Sequence, residues 1–378
     1  MKPFVPHSLP LKSVQWEPLI PLIGKANRAL AYYDGVLYGV TNPEVLLSPL
    51  TTQEAVLSSK IEGTQATLGE VLRFEAGEEP VEAARGLDIQ EILNYRRVMH
   101  IAEEELKTRP FSLNLLKDLH SCLLEGVRGR NKARGQFRTT QNWIGRPGSP
   151  IEDADYVPPS PGSLMAHLGN WEKYYHSGRP DPLVQLSIIH AQFEMIHPFL
   201  DGNGRIGRML VPLFLFEKKL LSRPMFHISS YLEENRETYI DRLRMLSRRP
   251  AGWNGWIEFF LAALHEQARL NAEKTRQIID LYQRMKQRAI ELTHSQYAVP
   301  LLDRIFEQPI FQPGHLEGIK GLPSRPMTRT LINKLRDAGI LNVMREGSGR
   351  RAQILVFSEL VDLCEGREAS SLLITDRR

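Results

Sequence analysis

Apolar residues three and four positions apart recur in nearly every long segment of this chain, and that spacing constrains its fold more than any other feature. The pattern runs through 88–106 and 112–127, and in 182–196 Leu186, Ile189, Phe193 and Ile196 fall on one helical face. The charged run 256–292 has few helix breakers and reads as one or two further helices. The expected fold class is therefore mainly α.

Breaks in the pattern divide the chain. Ala76-Gly77-Glu78-Glu79-Pro80 and the polar stretch at 293–295 both read as junctions. Between 135 and 161 the helical period gives way to short apolar pieces, Phe137, Trp143, Ile144, Tyr156 and Val157, set among glycines and prolines. That composition predicts a β-hairpin-like flap inserted between helices. After 293 two helices, 299–306 and 326–338, precede two β-rich runs, 340–344 and 352–357, joined by a glycine-rich tip at 345–350; Gly339 stops the second helix. Helices followed by such a hairpin resemble a winged helix. The expected division is an N-terminal region, 1–85, a helical core, 86–292, a winged-helix-like domain, 293–365, and a polar tail, 366–378.

With 378 residues, 42% apolar and 24% charged, the chain has material for two or three folded units and none of the signature of disorder. Cys122 and Cys364 stand too far apart in sequence for a Cys-x-x-Cys metal site and are too few for a disulfide framework, so a reducing cytoplasm is the expected location. The first ten residues contain no apolar run of signal or membrane-spanning length, and neither secretion nor membrane insertion is expected. A net charge of +4 does not by itself point to nucleic acid.

The residues most informative about chemistry run from His197 to Arg208, between two strongly apolar helical stretches, so a loop here delivers the chain into a helix N-terminus. Such a start attracts anions through its unpaired N–H groups and its dipole. Gly202 and Gly204 remove side chains where backbone N–H groups would approach phosphate oxygens, and Asn203 can add an amide donor. Arg205 and Arg208 lie three apart and can fork onto phosphates. Asp201 is a hard oxygen ligand suited to Mg2+, and His197 is the one group here that ordinarily titrates near neutrality, a natural general base for a hydroxyl.

The pattern His-Pro-Phe-x-Asp-Gly-Asn-Gly-Arg-x-Gly-Arg is the signature of the Fic family, and this sequence is similar to it at every fixed position, including Gly207. The resemblance implies a Fic-type helical core and a protein adenylyltransferase that moves AMP from ATP to a Ser, Thr or Tyr hydroxyl of a target protein. It implies His197 as base, Asp201 as the Mg2+ ligand, the turn from Gly202 to Gly204 as an anion hole, and Arg205 and Arg208 on the β and γ phosphates. Retention of Gly204 and Arg208 argues for ordinary adenylylation. The stretch from Gly135 to Gly145, with Tyr156 and Val157, resembles the family's flap, whose backbone registers the target by strand addition; Ile144, Gly145, Tyr156 and Val157 are its candidate residues here. The stretch Tyr231 to Tyr239 resembles the helix flanking the adenine site, with Tyr239 a candidate to stack on the base.

Upstream, Ser58 and Glu62 stand four apart and Gly63 follows as a candidate C-cap. Beside the signature above, Ser-x-x-x-Glu-Gly resembles the family's inhibitory helix motif. That resemblance implies that Glu62 pairs with Arg208 and occupies the guanidinium that the γ phosphate needs. In some relatives the same glutamate positions water for removal of AMP, and this reading stays open, as do self-modification and a homodimer. A rival class of function comes from the tail: 320–351 carries eight Lys or Arg against two acidic residues, the footprint of a DNA-binding regulator or a toxin-antitoxin-like module acting through a winged helix.

Overall fold

The computed structural model describes residues 2–80, 82–127, 132–146, 148, 150–248, 252–349 and 351–366. The expected tail after 366, together with Arg350 of the hairpin tip, lies outside them. Fifteen α-helices and three short strands are found among the described residues: α1 (Ile20–Tyr38), α2 (Pro43–Leu46), α3 (Ser48–Ile61), α4 (Leu68–Glu75), α5 (Ala83–Leu106), α6 (Leu113–Leu123), α7 (Pro161–His176), α8 (Pro182–Ile196), α9 (Asn203–Glu217), α10 (Ser229–Glu234), α11 (Arg236–Arg248), α12 (Trp253–Thr293), α13 (Ala298–Glu307), β1 (Ile310–Phe311), α14 (Arg325–Asp337), β2 (Asn342–Arg345), β3 (Ile354–Val356) and α15 (Ser358–Glu365). The mainly α class expected from the spacing is the one observed.

Packing separates two compact units. One comprises Met1–Asp34, Leu57–Gly63 and Asn94–Leu270; the other comprises Gly35–Val56, Thr64–Leu93 and Asn271–Arg378. The first is built around α8 and α9, which pack on each other, with α7 against α8. Every α8 residue except Pro182 and Glu194 is buried, and α9 is buried from Arg205 to Leu215. Both are thus core helices, buried on nearly all sides. The single apolar face read from Leu186, Ile189, Phe193 and Ile196 understates α8, because helices cover it all round.

Polar groups in this core are consumed locally. Asp181 caps α8 by accepting from the N–H groups of Leu183 and Val184, both at 2.9 Å. Trp171 donates its indole N–H to the Ile189 carbonyl at 2.9 Å, and Trp256 donates to that of Ser187 at 2.8 Å. Pro212 sits inside α9 and leaves the Arg208 carbonyl without its usual helical donor, yet the helix runs on to Glu217.

In the second unit α4 opens with a capping box: Thr67 Oγ1 accepts from the Glu70 N–H, and the Glu70 carboxylate accepts from the Thr67 N–H at 2.8 Å. The sheet order is β1-β3-β2, all antiparallel, with Ile310 opposite Val356 and Asn342 opposite the same residue from the other side. Its central strand, Ile354 to Val356, is fully buried. The hairpin expected at 340–357 is present, with Gly339 in the left-handed region at φ +74°. Strand β1 and helix α15 were not anticipated; two residues are too few to show a period of two. Several cations of the basic tail are already paired, Arg329 with Glu317 at 3.0 Å, Arg345 with Glu78 at 3.0 Å and Arg336 with Asp337 at 2.9 Å, which reduces the charge open to phosphates. Among the described residues no helix is long and apolar enough to cross a membrane.

Candidate active site

The segment between α8 and α9 is held by side chains that point away from the cleft it borders. Asn203 turns back on the loop: it accepts from the Phe199 N–H and donates to the Phe199 carbonyl, both at 2.8 Å, and is buried. These bonds use the amide oxygen and one of the two amide N–H donors, which ties the side chain expected at a phosphate to its own loop. Arg138, also buried, donates to the carbonyls of His197 at 2.9 Å and Pro159 at 2.5 Å, and Asn142 donates to the Phe199 carbonyl at 3.0 Å. His120 stacks on Phe199 with ring centroids 3.7 Å apart. Its Nδ1 accepts from the Gly135 N–H, so its Nε2 carries the proton donated to the Asp201 carbonyl at 3.0 Å. Burial lowers the His120 pKa to about 4 and keeps that tautomer neutral.

These clamps leave His197 at the C-terminus of α8 in a left-handed conformation, φ +49°. Its Nδ1 faces the Glu194 carbonyl at 3.3 Å. A carbonyl only accepts, so Nδ1 bears the hydrogen and Nε2 presents a lone pair. Burial pulls the imidazole pKa down to about 4, although the Glu194 carbonyl, Glu62 and Asp201 all work in the opposite direction. The ring is therefore neutral at pH 7.

Helix α9 begins directly after Gly202, which adopts φ +77°, and no side chain caps its start. The N–H groups of its first turn thus face whatever occupies the cleft. Asp201 is partly exposed, 3.3 Å from Arg205 Nη2 and 3.9 Å from Lys132 Nζ. Among the described residues no group of three His, Cys, Asp or Glu side chains converges to hold a metal.

The contact expected from the sequence between Glu62 and Arg208 is formed. Arg208 is buried, and its Nε donates to Ser58 Oγ at 2.9 Å while Nη2 donates to the Ser58 carbonyl and to Glu62 Oε1, both at 2.8 Å. Helix α3 ends at Ile61, so Glu62 reaches Arg208 from the turn that follows, in which Gly63 takes φ +98°. Arg236 donates to the Ile61 carbonyl at 3.1 Å and fixes that helix end. Burial would raise the Glu62 pKa, but Arg208, Arg205 and His197 together hold it below the usual carboxylate value.

Glu62, His197, Gly204, Arg208 and Tyr239 border one cleft of about 510 Å³, with Ile144, Gly145 and Tyr156 of the flap along its rim. The two glycines of α9 serve side chains rather than open space. A Cβ on Gly204 would stand 2.1 Å from Glu62 Oε1, and one on Gly207 would stand 2.0 Å from Glu194 Oε1. Gly207, expected at the phosphates, instead makes room for Glu194. Glu194 lines the cleft and is partly accessible there, its Oε1 lacks a hydrogen-bond partner among the described residues, and desolvation by the protein packed around it raises its pKa to about 7. It is the one charged residue in α8, the signal by which sequence reading could have found it.

Two further expectations need revision. Tyr239 is buried, with its hydroxyl 3.0 Å from His190 Nε2 and its ring against Trp256, so it forms a wall of the cleft and not an open stacking platform. In the flap, Ile144 and Tyr156 pair with each other through N–H to carbonyl bonds of 2.8 and 3.1 Å. Val157 is buried and its carbonyl accepts from Phe4. Gly145 and Val157, next to the bridged pair, have backbone groups that alternate to the opposite side, and of these the Val157 carbonyl is already taken.

The comparisons with known proteins bear on this geometry. The sequence pattern of the Fic/DOC family N-terminal region matches residues 20–104, and that of the Fic/DOC family matches 110–215, together about half the chain. The chain belongs to the Fic family. It is 30% identical over 206 residues to a probable protein adenylyltransferase of Aquifex aeolicus, covering 53% of this chain and 56% of that protein. It is 34% identical over 84 residues to the protein adenylyltransferase Fic of Drosophila ananassae, covering 21% of this chain and 15% of that one. This Fic chain thus spans little more than half of the first relative and a small part of the second. Its fold resembles that of a Fic family protein from Desulfovibrio desulfuricans, with a TM-score of 0.57, 20% identity and coverage of 94% and 98%. A Fic-domain signalling protein from Bacteroides thetaiotaomicron gives a TM-score of 0.53 with 20% identity, covering 67% of this chain and 97% of that one.

Proposed function

We propose that this Fic protein is a protein adenylyltransferase that transfers AMP from ATP to a hydroxyl of a protein, and that Glu62 restrains it. The observation that carries the reading is the Glu62–Arg208–Ser58 contact in the same cleft as a neutral His197 whose Nε2 has its lone pair available. In the transfer, a Ser, Thr or Tyr hydroxyl oxygen attacks the α phosphorus. Its proton passes to His197 Nε2, and the bond from the α phosphorus to the bridging oxygen breaks, so pyrophosphate leaves with that electron pair. The start of α9 supplies N–H groups for phosphate charge, and Arg205 and Arg208 supply guanidinium groups. Released from Glu62, Arg208 becomes available to the γ phosphate.

A lone partly exposed carboxylate, Asp201, suits a magnesium ion that keeps several waters and is otherwise held by substrate phosphates. Bound there, the ion would neutralise phosphate charge and orient the leaving group. The relatives called protein adenylyltransferases support the reaction class. For the target, Gly145 at the flap rim supports registration by backbone pairing, which selects an extended segment rather than a particular side chain.

The test is incorporation of labelled AMP from ATP in the presence of magnesium, into the chain itself or into proteins of a lysate. Glu62→Gly is expected to raise incorporation above the native chain, and adding His197→Ala to abolish it. Equal label in all three would overturn the reading.

A further inference from the structure

A helix ends with carbonyls that have no donor inside the helix. At the end of α8, just before the candidate base, one of those donors comes from the flap. The Phe193 carbonyl accepts from the His197 N–H at 3.0 Å, and that of Glu194 faces the His197 ring at 3.3 Å. The Ile196 carbonyl lies 3.4 Å from Arg138 Nη2. The Met195 carbonyl accepts from the Tyr156 hydroxyl at 2.7 Å. The phenol of Tyr156 therefore reaches from the flap to a point two residues before His197.

That tie bears on the whole flap. Tyr156 and Ile144 exchange N–H to carbonyl bonds of 2.8 and 3.1 Å, so a tyrosine anchored at its tip also fixes the facing limb, with Gly145 next along it. The ring is braced as well. Phe4 packs on it with centroids 5.8 Å apart, and the Phe4 N–H donates to the adjacent Val157 carbonyl at 2.9 Å. This N-terminal segment in turn hangs on α8, where Gln192 donates to the His7 carbonyl at 2.7 Å. Gln192 and Met195 are three residues apart, so both routes from the flap end within one turn of the helix that carries His197. Arg138 holds the chain again at the Pro159 carbonyl, at 2.5 Å, so loss of the phenol's bond would leave the flap attached but free to shift.

We infer that the Tyr156 side chain is a positioning residue, whose hydroxyl sets the distance between the flap edge at Gly145 and the imidazole of His197. The inference rests on the adenylyl-transfer reading above and adds to it a group that acts on the acceptor through the flap, without touching the reacting atoms. Its signature is selectivity for one substrate. A flap that spends only a fraction of its time in register raises the acceptor concentration needed by the inverse of that fraction. Nucleotide affinity and the rate at saturating acceptor are untouched.

The experiment uses the full chain carrying Glu62→Gly, with total lysate protein as the acceptor in increasing amounts, labelled ATP and magnesium. Adding Tyr156→Phe removes one oxygen and keeps the ring against Phe4. The half-saturating amount of lysate protein is expected to rise about three- to ten-fold, the range of one hydrogen bond, with the plateau rate and the ATP dissociation constant unchanged. Amide exchange at Ile144 and Tyr156 should quicken, while the His197 N–H keeps its protection. Phe4→Ala, which loosens the ring and leaves the hydroxyl, should shift half-saturation in the same direction and serves if Tyr156→Phe melts well below its parent. Unchanged half-saturation, or an equal loss of ATP affinity, would refute the positioning role. If the Glu62→Gly parent itself transfers no AMP, the adenylyl-transfer reading fails and takes this inference with it. If the parent is active and half-saturation survives both substitutions, only the inference is lost.

Discussion

Gly204 and Glu62 fit together only because Gly204 has no side chain: a Cβ there would stand 2.1 Å from the Glu62 carboxylate that holds Arg208. Substitution at 204 and at 62 should therefore be coupled. Gly204→Ala is expected to displace Glu62 and destabilise the native chain, yet to cost less in a Glu62→Ala background. A double-mutant cycle by denaturant unfolding should yield a coupling of about 1 kcal/mol. Additive effects would show that the two do not compete for the same space.

On the proposed reading Ser58 shares the restraint. Its hydroxyl accepts from Arg208 Nε, while its carbonyl and Glu62 hold Nη2. Ser58→Ala removes one of three contacts, so basal AMP incorporation should rise by up to about ten-fold, less than with Glu62→Gly. An increase equal to that of Glu62→Gly would mean that the carboxylate has no role of its own.

The base should tolerate acid. His197 is held neutral down to about pH 4, and removal of Glu62 takes away one of the charges that raise its pKa. The kcat/KM of Glu62→Gly is expected to hold between pH 8 and pH 6, with any acidic limb lower. A limb centred near 6.5, the ordinary histidine value, would place the proton acceptor elsewhere.

Folding stability should respond to the same groups with a defined sign. His120, His190 and His197 have native pKa values of about 4, 3 and 4 against an ordinary 6.5, so the unfolded chain binds more protons between those limits. Their contribution is present above 6.5 and is lost as pH falls toward 4. Glu194 works the other way: with its pKa raised from 4.5 to about 7, its contribution is present below 4.5 and fades as pH rises through 7. Three groups outweigh one, so Tm should drop on acidification from 6.5 to 4, and His120→Gln should flatten the slope. A flat or rising Tm in the native chain would contradict the burial of these rings.

Arg138 serves the loop by geometry, spreading its guanidinium over the carbonyls of His197, Pro159, Ile196 and Thr140. A lysine keeps the charge but not the fork. Arg138→Lys should lower stability by about 2 kcal/mol, read from the urea midpoint, and reduce transfer in the Glu62→Gly background. Native stability in this variant would mean that the fork is dispensable.

What could be read from the sequence follows its regularities. Long apolar periods exposed α8 and α9, and a dense twelve-residue pattern marked the loop between them, with Ser58 and Glu62 legible only beside that pattern. His120 and His190 left no such trace, and Arg138 and Asn142 were marked only as part of the flap stretch, because each is a single polar residue whose partners are distant backbone carbonyls or a lone hydroxyl. The inward turn of Asn203 was hidden for a different reason: an amide at a helix start can face a ligand or its own loop, and only the position of Phe199 decides.

The left-handed backbone of His197 has a further consequence. That conformation is costly for most residues and comfortable for glycine or asparagine, and it is imposed by neighbours that have no part in proton transfer. Exchanging the imidazole for an asparagine side chain relaxes the backbone while leaving the surrounding cradle as it is. On the proposed reading such a chain, also freed of Glu62, would be a sturdy inert bait able to hold nucleotide and an incoming polypeptide together without releasing either as product.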